Sequence, residues 1–182
     1  QMLATGLTHS LGVVLPPLTD RENISQPFYM EIITVINEEA SSNSQVVSIA
    51  TDALLEELVK QVELMYRQKR ADGFIILYSE TNDPVKDYLL KEKVPFVVVG
   101  AAVDNNDKVT YIDNDNKELG QEAVNFLRAK SHQKIGFVTD DLFGQVGQEH
   151  YQGYIEATNE FNLETYPELV FSSRVIDSLI ES

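Results

Sequence analysis

The chain carries three histidines, His9, His132 and His150, and no cysteine. None of the three stands at a metal-ligand spacing from another histidine or a carboxylate on a clear helix face. There is no HExxH pair, no GxSxG nucleophile elbow and no glycine-rich phosphate loop. His9 lies in a leading segment and reads as solvated. His132 ends a helical stretch, where a cation favours the C-terminal dipole. His150 stands apart, because it begins a helix after Val138-Thr139-Asp140-Asp141, at the carboxyl end of an apolar run. Asp140 and Asp141 supply part of a Mg²⁺ phosphotransfer site. The rest would need a phospho-accepting aspartate and a lysine at other strand ends, and Leu77, Ser79 and Gly100 stand there instead. Asp113 and Asp115 open a helix: capping and dipole compensation account for Asp115, while Asp113 fits that role or a binding one. No carboxylate pair is singled out for glycoside hydrolysis. These residues predict no enzyme, no cofactor and no metal centre.

The elements that must position these groups are legible in the hydropathy. Five short apolar runs cover 11–15, 46–50, 74–77, 96–99 and 135–138. They are rich in Val and Ile and mostly do not alternate, as strands buried on both faces of a parallel sheet read. Between them lie amphipathic stretches. Phe28, Ile32, Ile33, Ile36 and Ala40 share a helical stripe, behind Pro27 as a first-turn proline and Gln26 or Ser25 as cap. Leu54, Leu55, Leu58, Val62, Met65 and Tyr66 form a second stripe, opened by Asp52 as cap. Val85, Tyr88 and Leu89 form a third behind Asp83-Pro84. Leu119, Ala123, Phe126 and Leu127 form a fourth, capped by Asp115 or Asn114, and Tyr151, Ile155, Thr158 and Phe161 a fifth. Such regular alternation predicts an α/β fold with right-handed crossovers and a doubly wound parallel sheet. Ligands of such sheets bind outside the carboxyl ends of the strands.

One break interrupts the rhythm. After Val99-Gly100 a polar stretch leads to a further apolar run, Val109 to Ile112, and then to Asp113-Asn114-Asp115-Asn116, as if the chain crossed from one α/β lobe to another. Leu169-Val170-Phe171 reads as a strand and Val175 to Ile180 as a helical fragment. The second lobe thus has about two strands, too few for an independent sheet. Over 182 residues, 14 Lys and Arg face 29 Asp and Glu, a net charge of −15 that makes this part of the chain a poor nucleic-acid or anionic-membrane binder. No apolar run approaches the roughly 20 residues of a membrane span. The first ten residues lack the basic and apolar regions of a secretory signal, and the start at Gln1 suggests an upstream segment.

Seven motifs in order carry a resemblance. They are Leu11 to Leu15, Pro27-Phe28-Tyr29, Arg70 to Ile76, Val94 to Gly100, Ile112 to Asn116, Ser131 to Val138, and Tyr151-Gln152-Gly153-Tyr154. Over about residues 4–165 the chain resembles the effector-binding core of the LacI/GalR family of bacterial transcription repressors, and most of all its maltose-operon branch. The resemblance implies a periplasmic-binding-protein-like pair of lobes: a hinge remnant at 1–9 that includes Leu3-Ala4-Thr5-Gly6, a first lobe at 10–112, and an incomplete second lobe at 113–182. It also implies a sugar effector, maltose or a maltodextrin, held between the lobes of a cytoplasmic homodimer, and operator DNA bound through a headpiece upstream, with no membrane partner. Effector contacts would fall on Pro27, Phe28 and Met30 at a helix start, on Leu77 and Ser79 at a strand end, on Gly100, and on Tyr111 at the crossing. In the second lobe they would fall on Val146 and His150. The family usually has an arginine three residues before Gly153, forking hydrogen bonds to its ligand; His150 cannot reproduce that fork. Phe28, Tyr29 and Tyr111 offer flat apolar faces, and Ser79, Asp113 and His150 fixed polar groups. An unpaired buried polar group costs about 1–3 kcal/mol, which is how such a site selects hydroxyls. Core packing competes with ligand contact at Phe28, and is the expected role of Leu77 and Met30. The same two-lobed fold serves periplasmic or lipid-anchored sugar-binding proteins of transporters, which differ upstream in having a signal peptide instead of a headpiece and hinge.

Overall fold

In the computed structural model, which describes residues 6–17, 27–103, 107–139, 144–163 and 170–172, apolar runs form strands and amphipathic stretches form helices. The chain divides into two compact units, Gln1–Asp113 and Asn114–Ser182. The first contains β1 (Ser10–Val14), α1 (Pro27–Ser42), β2 (Val46–Ala50), α2 (Leu55–Arg67), β3 (Gly73–Ile76), α3 (Pro84–Glu92), β4 (Phe96–Val99) and β5 (Thr110–Ile112). The second contains α4 (Asn116–Ala129), β6 (Phe137–Thr139), α5 (Gln145–Glu160) and β7 (Val170–Ser172).

The five strands of the first unit are all parallel, in the order β2-β1-β3-β4-β5. From β1 the chain crosses outward to β2, then returns past β1 to β3, so the winding reverses between β1 and β3. These two strands are the most enclosed, with Val13, Val14 and Ile76 fully buried. Alternate side chains feed two cores. On one face Val14, Phe74, Ile76 and Val98 meet Leu58, Val62 and Met65 of α2 and Val85 and Leu89 of α3. On the other, Val13, Leu15 and Leu77 meet Tyr29, Ile32, Ile33 and Ile36 of α1.

In the second unit, β6 and β7 pair in parallel over three residues, Phe137↔Val170 to Thr139↔Ser172. Its core joins Val124, Ile135, Tyr154 and Ala157, edged by Phe137, whose ring centroid lies 5.3 Å from that of Tyr151 and 5.4 Å from that of Tyr154. Helices α4 and α5 approach so closely that a Cβ at Gly153 would overlap the Lys117 carbonyl, and one at Gly120 the His150 carbonyl. Only glycine fits either place. Lys117 and Gln121 of α4 also reach Glu156 of α5, at 2.9 and 3.0 Å.

Element starts follow local chemistry, with three departures from expectation. Asp83 caps α3 by accepting from the Val85 amide at 2.9 Å, and Asp115 caps α4 by accepting from the Glu118 amide at 2.8 Å. Asp52, the expected cap of α2, does not cap it; Leu54 holds that position without a side-chain bond. The Asp52 carboxylate instead takes the Leu54 amide and the Gln61 side-chain amide, both at 3.2 Å, before the helix begins. Helix α5 starts at Gln145, so His150 lies in its second turn; buried Gly147 extends the inward stripe of Tyr154 and Ala157 backwards. Strand β6 starts at Phe137, not Ile135; the Ile135 carbonyl accepts from the Tyr154 hydroxyl at 2.8 Å. Ser25, Gln26, Leu3 to Thr5, Asp140, Asp141 and the expected helical fragment at 175–180 lie outside the described residues.

Candidate functional site

The winding reversal between β1 and β3 marks the carboxyl ends of the first sheet as the place for a ligand. There β3 runs into Leu77-Tyr78-Ser79, β4 into Gly100 and β5 into Asp113. Ser79 donates its hydroxyl to the Ala101 carbonyl at 2.5 Å, and the Gly100 amide donates to the Ile112 carbonyl at 2.9 Å. Gly100 has a φ of +140°, and a Cβ there would come within 3.0 Å of the Ser79 Cβ. Glycine is therefore required, and Ser79 and Gly100 are brought together with the ends of three strands.

The other expected residues of this unit divide between core and surface. Leu77 is 4% exposed and packs with Val13 and Leu15, as expected of a core side chain. Met30 does the opposite: it is 56% exposed, and Phe28 is 57% exposed. Residues 28 and 29 both satisfy helical spacing toward Ile32, and it is Tyr29 that turns inward on the stripe with Ile33 and Ile36. Phe28 stays outside, edge-on to Tyr29 at 5.3 Å, beside exposed Pro27. Tyr111 is half-buried against the α2–α3 core, and Asp113 is exposed.

A buried polar cluster underlies these strand ends. Asp83 and Lys86 are each 3% exposed. Tyr78 donates its hydroxyl to Asp83 Oδ1 at 3.3 Å, and Lys86 Nζ lies 3.4 Å from both the Glu80 carbonyl and the Tyr111 hydroxyl. Burial raises the Asp83 carboxyl above its ordinary range, against the opposing pull of the Val85 amide, the Tyr78 hydroxyl and the Lys86 charge. Burial, then the Asp83 charge, pushes the Tyr78 phenol upward too. Lys86 escaped the sequence-based expectations, although one signal was available: it shares the buried face of α3 with Val85 and Leu89.

In the second unit Val146 and His150 stand four residues apart on α5, one turn along the same helix. Val146 is exposed in the first turn and His150 is half-buried. His150 borders a concavity of about 270 Å³ between α4, β6 and α5, lined by Leu119, Ala123, Leu127, Phe137, Thr139 and Tyr154 among others. Its walls are mainly apolar, with His150 and Thr139 as polar groups. Among the described residues no group of three or more His, Asp or Glu side chains is placed to hold a metal ion, and no helix is long and apolar enough to cross a membrane.

Comparison with known proteins gives a consistent result. Residues 8–172 match the family of periplasmic binding proteins and sugar binding domain of LacI family. The chain is 28% identical over 163 residues to the HTH-type transcriptional regulator MalR of Streptococcus pneumoniae, covering 90% of this chain and 49% of that protein. It is 28% identical over 170 residues to the HTH-type transcriptional repressor PurR of Mannheimia succiniciproducens, covering 93% and 49%. A solved structure of a probable maltose operon transcriptional repressor from Staphylococcus aureus superimposes with a TM-score of 0.77 at 26% identity, covering 92% of this chain and 58% of that one. The chain spans about half the length of the curated relatives it matches. These relatives are named as regulators, not as enzymes.

Proposed function

Because the chain belongs to the LacI/GalR family, as part of its periplasmic-binding-protein-like effector-binding core, we propose that it is the sensing part of a DNA-binding transcriptional repressor whose effector is a sugar, maltose or a maltodextrin. The effector would be taken up by groups at the strand ends and helix starts of each lobe. Ser79, Gly100, Tyr111 and Asp113 would serve in the first lobe, with Leu77 shaping the strand end from the core, and Pro27, Phe28 and Met30 on the exposed start of α1. Val146 and His150 would serve in the second.

The observation that carries this proposal is the similarity to MalR across 90% of the chain, together with a first sheet whose carboxyl ends carry polar groups fixed by backbone bonds. PurR matches about as well in identity, and direct titration tests the ligand class. Operator binding through an upstream headpiece, homodimer formation and a cytoplasmic setting belong to the same proposal. The strong negative charge supports it: a core at −15 needs a separate basic module to approach DNA. A periplasmic or lipid-anchored binding protein is disfavoured by the helix-turn-helix regulators among the relatives.

Calorimetric titration of the full-length protein with maltose and maltotriose, and with purine bases as controls, tests the ligand class. Saturable heat from the sugars alone is expected. At about 100 times its dissociation constant the sugar should stabilise the fold by about 2.7 kcal/mol. Heat from purines instead would overturn the sugar assignment, and a gel shift without sequence-specific DNA binding would overturn the repressor assignment.

A further inference from the structure

Resting on the sugar-binding proposal above, we infer that Lys86 is a positioning residue of the effector site, holding Tyr111 and the turn at Glu80 in place from beneath the strand ends. A lysine at 3% exposure is unusual. Its stem could be replaced by an apolar side chain of similar length, and buried ion pairs are often no more stabilising than such a replacement. Two neighbours of its ammonium are therefore informative. One is the Glu80 carbonyl, just past the end of β3, and the other is the Tyr111 hydroxyl in β5, each at 3.4 Å. Both segments belong to the ligand end of the sheet.

Among the described residues, strand β5 is an edge strand of three residues, Thr110 to Ile112, paired with β4 alone. A strand so short is weakly fixed by its own ladder. The Lys86 contact ties its central residue to α3, whose first turn is fixed by the Asp83 cap on the Val85 amide. Tyr111 is thereby held at one end by the α2–α3 core around its ring and at the other by an ammonium on its hydroxyl. Asp113, two residues on, inherits that register. The cation thus serves orientation and need not touch the sugar.

The test is Lys86→Met in the full-length protein, with Lys86→Arg as the conservative variant and Tyr111→Phe as the partner for a double-mutant cycle. Maltose affinity is measured by calorimetry, thermal unfolding is followed without sugar, and the Tyr111 ¹³Cζ resonance is followed in tyrosine-labelled protein. Lys86→Met is expected to weaken maltose binding about tenfold. Lys86→Arg should recover much of the loss, and the effect should largely disappear in the Tyr111→Phe background. The Tyr111 resonance should move in Lys86→Met without sugar, while that of Tyr88 stays. Unchanged maltose affinity in Lys86→Met, or a loss that adds in full to that of Tyr111→Phe, overturns the inference. Should the wild type take up no maltose, the sugar assignment fails, and the resonance decides this inference alone: an unmoved Tyr111 signal overturns it.

Discussion

The two units build their cores in different ways. In the first, a five-stranded parallel sheet is covered by helices on both faces, and its central strands are enclosed from both sides. In the second, the described strands are two of three residues each, and the core lies along a helix pair that meets at glycines. The difference bears on what each can offer a ligand. At the first sheet's carboxyl ends, polar groups are placed by ladder register and by bonds such as Ser79 to Ala101. In the second, His150 is placed by how closely α5 can approach α4. One site is set by backbone pairing, the other by a helix crossing.

Equivalent truncations should expose that contrast. Leu58 is fully buried under the first sheet, and Leu58→Ala should cost about 3 kcal/mol in transfer and cavity terms, read from urea unfolding. Leu127 is only partly buried at the edge of the second core, and Leu127→Ala should cost about 1 kcal/mol. Equal losses would break the comparison, since they would place as tight a core in the second unit as in the first.

The next effect tests the crossing. A methyl at Gly153 meets the Lys117 carbonyl, which is helix backbone and cannot swing aside like the end of a long side chain. Overpacking of that kind costs about 3 kcal/mol, and the better helix propensity of alanine returns about 1 kcal/mol. Gly153→Ala should therefore lose about 2 kcal/mol by the same measurement. If the variant is as stable as the wild type, the helices part easily, and His150 is not positioned by them.

What the sequence revealed follows the same divide. Buried parallel strands announce themselves as apolar runs, so β2 at 46–50 and β4 at 96–99 were legible to the residue, and Asp115, one of the two expected caps of α4, caps it. Asp52 was misplaced because a capping residue type does not reveal that a distant glutamine, Gln61, will claim its carboxylate. Phe28 and Tyr29 are both apolar at compatible spacing, and only packing decides which turns inward. Ile135 is as apolar as any strand residue, yet β6 starts at Phe137 and the Ile135 carbonyl accepts from the Tyr154 hydroxyl. At the candidate site the strand-end positions could be located from the pattern. The Lys86–Tyr111 contact could not, because α3 and β5 are separate segments of the chain and meet only when the sheet forms.

The smallest effect asks whether the order of the first sheet extends to the segment ahead of it. Asp72, at the start of β3, accepts from the Thr8 amide at 2.8 and 3.0 Å, from the Thr8 hydroxyl at 2.9 Å and from the His9 amide at 2.8 Å. Burial alone would raise its carboxyl, but the bonds from Thr8 and His9 outweigh burial and hold it below its ordinary value. A carboxyl lowered by folding stabilises fully above its unfolded value of about 3.9, and that contribution is lost as pH falls through the lower folded value. Asp83 runs the other way: raised by burial, it is relieved by protonation, so mild acid should first add a little stability. Asp72→Asn keeps the shape but leaves one acceptor oxygen and no charge. It should cost about 1 kcal/mol at neutral pH, and the gap from wild type should shrink once the wild-type carboxyl is itself protonated. Urea unfolding of both proteins at pH 7 and in strong acid reads this directly. A gap that stays the same in acid would mean that the charge of Asp72 does not anchor the leading segment. The order of the first unit would then begin at β1, with nothing of it passed on to the residues before.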